Sequence, residues 1–72
     1  MSKRPLADAL LAATTICPRI VHLLAVAEHG EHDDALRRLR VAQLHARELL
    51  TRLEIAELEI AAQVTEHGKE AA

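Results

Sequence analysis

The chain has 72 residues, half of them apolar, yet it contains no aromatic residue and its formal net charge is only −2. A single cysteine excludes an internal disulfide and a zinc site built on cysteine pairs. Fourteen alanines and twelve leucines, with two glycines and two prolines, are typical of helices. We therefore expect one all-α domain over residues 1–72 with a purely aliphatic core.

The first predicted helix covers residues 5–28. Its apolar residues step by four and three in heptad register; they are Leu6, Leu10, Ala13, Cys17, Ile20, Leu24 and Ala27. Pro18 lies within this run, and a proline inside a helix removes a hydrogen bond and clashes with the preceding turn. Two interpretations follow, a helix kinked at Pro18 or a break with a new helix beginning there. The uninterrupted register favours the kink.

A turn is predicted over residues 29–33. Gly30 suits the left-handed conformation that ends many helices, and Asp33 suits the N-cap of the next helix. Because a short connection makes two helices antiparallel neighbours, the sequence predicts a helical hairpin.

The second predicted helix covers residues 34–67 and ends before Gly68. Its main apolar stripe again steps by three and four, through Leu39, Ala42, Ala46, Leu49, Leu53, Ala56 and Ile60. Three acidic residues precede an arginine by four positions, the favourable order for an ion pair on a helix; the pairs are Asp33–Arg37, Asp34–Arg38 and Glu48–Arg52.

The first helix is apolar on nearly every side, and one partner helix cannot cover such a surface. We therefore expect two hairpins to associate as a four-helix bundle. Arginines fill the first half of the second helix and glutamates the second half, so electrostatics favour an antiparallel homodimer. The residues expected to mediate self-association are Leu10, Ile20, Leu24, Leu39, Leu49, Leu53 and Ile60.

A second apolar sector lies on the second helix, away from its main stripe. It contains Val41, Leu44, Ile55 and Leu58, mixed with Arg37, Glu48 and Thr51. Two interpretations remain open. The sector is either the second flank of a bundle helix or a docking surface for another protein.

Little in the sequence indicates chemistry. His29 and His32 flank the predicted turn with carboxylates nearby, which suits zinc, nickel or copper, but a polar turn supplies such residues by default. Cys17 lies on the apolar stripe, where a thiol usually behaves as a small hydrophobic side chain. We expect no metal, cofactor or catalytic site.

The N-terminal region superficially resembles a signal peptide or membrane anchor, with basic residues before an apolar stretch. Asp8, Pro18, Arg19 and His22 interrupt that stretch, and a charged residue at the centre of a membrane helix is costly. We therefore expect a cytoplasmic protein that does not enter a membrane.

These features favour a non-enzymatic protein–protein interaction module, such as an adaptor, an inhibitor or antitoxin-like regulator, or a co-chaperone. The alternative is nucleic-acid binding through Arg37, Arg38, Arg40 and Arg47, which could meet phosphates. A dimerising two-helix chain is similar in architecture, though not in motif, to the plasmid RNA-binding Rop proteins. That resemblance implies a dimeric regulator that binds RNA.

Overall fold

The computed structural model describes residues 4–71, and the side chains of residues 4–66. These residues form two α-helices, α1 (Pro5–Glu28) and α2 (His32–Ala71), which pack against each other. The resulting body is 60 Å long and only 16 × 15 Å across. The prediction of an all-α helical hairpin is confirmed.

The start of α1 follows from its first residues. Pro5 occupies the first helical turn, where its missing N–H is not needed and its fixed φ suits the helix. The backbone N–H of Asp8 donates to the carbonyl of Arg4 at 3.0 Å, and the Asp8 carboxylate adds a negative charge near the positive end of the helix dipole.

α1 continues without a break through Pro18. The two preceding threonines donate their hydroxyl groups to carbonyls one turn earlier, Thr14 to Leu10 at 2.7 Å and Thr15 to Leu11 at 2.9 Å. Of the two interpretations of the proline, the continuous helix is therefore correct, and a new helix does not begin there.

The connection between the helices is tighter than predicted. The N–H groups of His29 and Gly30 donate to the carbonyls of Val26 and Ala27, both at 3.2 Å, and this three-residue spacing closes the last turn of α1. No described residue has a positive φ, so the predicted left-handed conformation of Gly30 is wrong. The two hydrogen bonds from His29 and Gly30 pair the carbonyls of Val26 and Ala27 without a left-handed residue.

α2 begins at His32, two residues before the predicted start. The N–H of Ala35 donates to the carbonyl of Glu31 at 2.8 Å, so Glu31 precedes the helix and Asp33 lies inside its first turn instead of capping it. At the other end the helix reaches Ala71, beyond the predicted stop at Gly68. A glycine inside a helix costs only about 1 kcal/mol relative to alanine, which does not end a long helix.

Small side chains form the contact between the helices. The buried hydrophobic residues of the described part are Ala9, Ile16, Ala42 and Ala56. On α2 the contact residues repeat every seven positions, with Leu49 half-buried between the two alanines. We call this contact the seam.

The predicted stripe of α2 is thereby divided. Ala42, Leu49 and Ala56 lie in the seam, whereas Leu39 and Leu53 are 43% and 44% exposed beside it. Alanines let two helices approach closely, and the bulkier leucines lie to one side of such a contact.

Candidate protein interaction surfaces

One side of the hairpin carries most of the large aliphatic side chains beside the seam; we call it the apolar face. Its exposed members are Leu6, Leu10, Cys17 and Leu24 of α1 and Leu36, Leu39, Leu50, Leu53 and Val64 of α2. In antiparallel helices, the equivalent heptad positions that flank a seam lie on the same side of the pair. A groove lined by Leu6 of α1 and Ile60 of α2, among others, joins the two helices on this side.

The residues predicted for self-association fall into two groups. Ile20, Leu49 and Ile60 are half-buried in or next to the seam. The other four are exposed on the apolar face; they are Leu10, Leu24, Leu39 and Leu53. The contact between α1 and α2 therefore buries only some of the residues predicted for self-association.

On α2, three exposed members of the apolar face do not belong to the predicted self-association set: Leu36, Leu50 and Val64, which are 48%, 55% and 65% exposed. They belong to a second run on α2 with steps of three and four, through Leu36, Leu39, Gln43, Ala46, Leu50, Leu53, Glu57, Ile60 and Val64. Gln43 and Glu57 interrupt this run, which is why the first stripe stood out more clearly.

The other side of the hairpin, which we call the mixed face, carries the predicted partner-binding residues. Val41, Leu44, Ile55 and Leu58 are 39%, 61%, 48% and 69% exposed. None of the four is buried by α1. The structure therefore brings them together on one side of α2, away from the apolar face.

Two grooves between the helices open on the mixed face. Pro18, His22, Leu23 and Val41 line one of them, together with Arg19 and His45. The other contains the polar groups of Asp8, Thr15, Arg19, Glu48 and Arg52. Of the two histidines that line the first groove, His22 is exposed and His45 is half-buried.

The arginines of α2 have different surroundings. Arg38 is half-buried, and its Nε–H donates to Oδ2 of Asp34 at 2.9 Å. Of the three predicted ion pairs, Asp34–Arg38 is the one that the structure forms. This hydrogen bond lowers the pKa of Asp34 below its ordinary value of 3.8, and the charges of Arg38 and Arg37 act in the same direction. Arg37, Arg40 and Arg47 are exposed. By helical spacing, Arg40 and Arg47 lie on the side of α2 opposite the seam.

The described side chains offer no cluster of three or more His, Cys, Asp or Glu residues that could hold a metal ion. His29 and His32 are both exposed at the turn. Cys17 is exposed, because it lies with Leu10 and Leu24 on the part of the α1 stripe that is beside the seam and not in it.

α1 is long and apolar enough to cross a membrane by length and composition. Over an 18-residue window its mean hydropathy is 1.8, and 11% of that window is buried. Core helices of soluble proteins and signal sequences pass the same test.

No family model, curated protein or solved structure matches the chain.

Proposed function

We propose that the chain is a small non-enzymatic protein–protein interaction module that works as a self-associated helical hairpin. The observation that most supports this is the exposed aliphatic surface. Among the described residues, fourteen large hydrophobic side chains are exposed, whereas four hydrophobic residues are buried. Soluble monomers rarely expose contiguous apolar patches larger than a few hundred Å². A second hairpin, completing a four-helix bundle, covers such a surface.

The accessible surface area supports the same proposal. The hairpin exposes 5936 Å², whereas a compact monomer of its mass exposes roughly 4,400 Å². A compact dimer of twice that mass exposes roughly 7,300 Å², so pairing two hairpins buries at most about 4,500 Å². Obligate homodimers bury about 2,000–5,000 Å². The area that pairing could bury, at most about 4,500 Å², therefore falls within the range of obligate homodimers.

In this proposal, the mixed face binds another protein while the apolar face mediates self-association. Val41, Leu44, Ile55 and Leu58 supply exposed apolar anchors, and neighbouring charged residues supply a polar rim. A few apolar anchors carry most of the energy of a typical interface. An adaptor, an inhibitor or antitoxin-like regulator and a co-chaperone all bind through surfaces of this kind.

The test is the double substitution Leu44→Glu with Leu58→Glu. We expect helicity and dimer mass to be retained while capture of the partner from the native host is lost. Thr51→Glu with Thr65→Glu adds the same charge in the same column of α2 at exposed polar positions, and so controls for the effect of the added charge on helicity and dimer mass. Melting of the dimer by the leucine pair alone would show that these residues are a flank of the bundle, and would remove the docking surface.

We also infer that α1 bends at Pro18. The ring removes the N–H that would pair with the carbonyl of Thr14 and crowds that carbonyl. Sharp helix bends occur most often at proline. The hydroxyl bonds of Thr14 and Thr15 to the preceding turn favour bending further.

We propose that the oligomer is cytoplasmic. Arg19 and His22 lie near the middle of the long hydrophobic stretch of α1, where a bilayer penalises charge. Recovery of the protein in the soluble fraction after cell lysis is the expected result, and recovery only in the detergent extract would contradict it.

A Rop-like regulator that binds RNA is the alternative, supported by the exposure of Arg37, Arg40 and Arg47. Of these, Arg37 and Arg40 make no proposed contact in the dimer and stay accessible when the apolar face is covered. If this alternative is correct, nucleic acid is recovered with the protein at low salt and lost at high salt. Arg37→Ala with Arg40→Ala would then reduce RNA binding while leaving the dimer intact. Recovery of one stoichiometric protein instead favours the main proposal.

A further inference from the structure

We propose that the occupant of the apolar face is a second copy of this chain, arranged so that the two α2 helices run antiparallel with their centre near Leu50. This inference rests on the proposed self-association and specifies its geometry. The α2 run from Leu36 to Val64 has nine positions in steps of three and four, seven of them apolar. At 1.5 Å per residue it extends about 42 Å along the helix.

The occupant must match the length of this run. α1 has 24 residues and α2 has 40, so α1 spans about 36 Å and is shorter than the run. Within the hairpin, Pro5 and Leu6 at the start of α1 line a groove with Ile60 of α2, and Val64, 65% exposed, lies one turn further along. A second α2, with 40 residues, is long enough to cover the whole run from Leu36 to Val64.

The two polar interruptions of the run determine its direction. Gln43 and Glu57 each lie seven residues from Leu50, on opposite sides of it. In an antiparallel pair centred near Leu50, the Gln43 amide of one protomer comes within a turn of the Glu57 carboxylate of the other and can donate to it. A parallel pair would instead place two Glu57 carboxylates side by side in an apolar contact, which is unfavourable.

The charges along the outer edge of the run agree with this direction. Arg40 and Arg47 precede Leu50, and Glu54 follows it. Antiparallel pairing places Arg47 of one protomer near Glu54 of the other, whereas parallel pairing places like charges together. Charge complementarity of this kind fixes the register of an interface.

The apolar face includes α1 as well, so the same two-fold arrangement packs one α1 against the other. Leu6, Leu10 and Leu24, which α2 leaves exposed, are then covered by α1 of the other protomer. Each helix gains a second neighbour, as in other four-helix bundles.

Site-directed crosslinking tests the geometry in the full chain. In a Cys17→Ser background, single cysteines are introduced as Leu36→Cys, Leu50→Cys or Leu58→Cys, and the purified protein is treated with copper phenanthroline or a short bismaleimide. A disulfide requires Cα atoms about 4.4–6.8 Å apart. We expect Leu50→Cys to crosslink, and Leu36→Cys to remain uncrosslinked because its copies lie about 42 Å apart. Mixing Leu36→Cys with Val64→Cys restores crosslinking. Leu58→Cys also stays uncrosslinked, because Leu58 lies on the mixed face and its copies are about 24 Å apart along the helix axes.

Light scattering distinguishes a failure of self-association from a failure of the proposed geometry. A monomeric mass for the unmodified chain would overturn the proposed self-association and this geometry with it. If the protein is a dimer and Leu36→Cys crosslinks to itself, only the antiparallel direction is overturned. If Leu58→Cys crosslinks and Leu50→Cys does not, the choice of face is overturned.

A charge exchange provides a second test that does not depend on crosslinking. Glu57→Lys should weaken the dimer by about tenfold or more, because it removes the carboxylate that accepts from Gln43 of the other protomer and places a positive charge about one turn from its Arg47. Adding Gln43→Glu should restore most of the affinity in an antiparallel pair. Absence of any rescue, with both variants helical, would contradict the antiparallel geometry.

Discussion

Replacing Leu50 with alanine gives the most direct measure of the apolar face. In the hairpin this side chain is 55% exposed, and complete burial of a leucine contributes about 1.5–3 kcal/mol. A second copy that covers the exposed half therefore gains about 1 kcal/mol from each Leu50, or about 2 kcal/mol per dimer. Since 1.4 kcal/mol corresponds to a tenfold change in affinity, Leu50→Ala should raise the dimer Kd about 30-fold.

Sedimentation equilibrium over a range of protein concentrations measures this change. Leu58→Ala is the matched control, because Leu58 is 69% exposed but lies on the mixed face. Alanine is the better helix former, so neither variant should lose helicity. An equal loss of affinity in both variants, or an unchanged Kd for Leu50→Ala, would refute the assignment of the self-association surface.

Three further outcomes are expected. Leu24→Asp places a charge on the apolar face and should dissociate and largely unfold the protein together, as size-exclusion chromatography and circular dichroism would reveal; a helical monomer would contradict this. Pro18→Ala should raise the melting temperature or leave it unchanged, because the new N–H can pair with the carbonyl of Thr14, and a clear decrease would argue against the bend. The carboxyl of Asp34 should titrate below 3.8 by NMR, and Arg38→Ala should return it towards that value. Because the folded-state pKa is lowered, the stability contributed by this pair is present above pH 3.8 and is lost as the pH falls through the folded-state pKa.

The hairpin could be predicted from the sequence because its signals are local. Two apolar runs with helical spacing, separated by a turn containing Gly30, define two helices and their antiparallel order. The ends were less predictable. Gly30 closes α1 with three-residue hydrogen bonds, and Gly68 does not end α2, because glycine permits several backbone conformations and dictates none of them.

Hydrophobicity alone could not predict which face of α2 packs against α1. Two runs on α2 have the same spacing and share four residues. Ala42 and Ala56 of the first run lie in the seam, whereas Leu36 and Leu50 of the second run stay exposed. A face rich in alanine lets the two backbones approach closely, whereas a face rich in leucine buries more apolar surface. The residue pattern of one helix does not show which of these α1 fits. The four mixed-face residues were placed correctly outside the main stripe, but what binds them depends on a molecule that the sequence does not describe.

The alanine seam also has a consequence for how the protein behaves in a cell. Among the side chains that the structure describes, three of the four buried hydrophobic residues are alanines, so an isolated hairpin has little apolar area to offset the loss of conformational entropy on folding. When folding is coupled to pairing, each tenfold rise in protein concentration stabilises the folded dimer by about 1.4 kcal/mol. If the proposed self-association holds, we expect the protein to be folded when it is abundant and to become a protease substrate when its synthesis slows. Its supply would then set both the strength and the duration of its action.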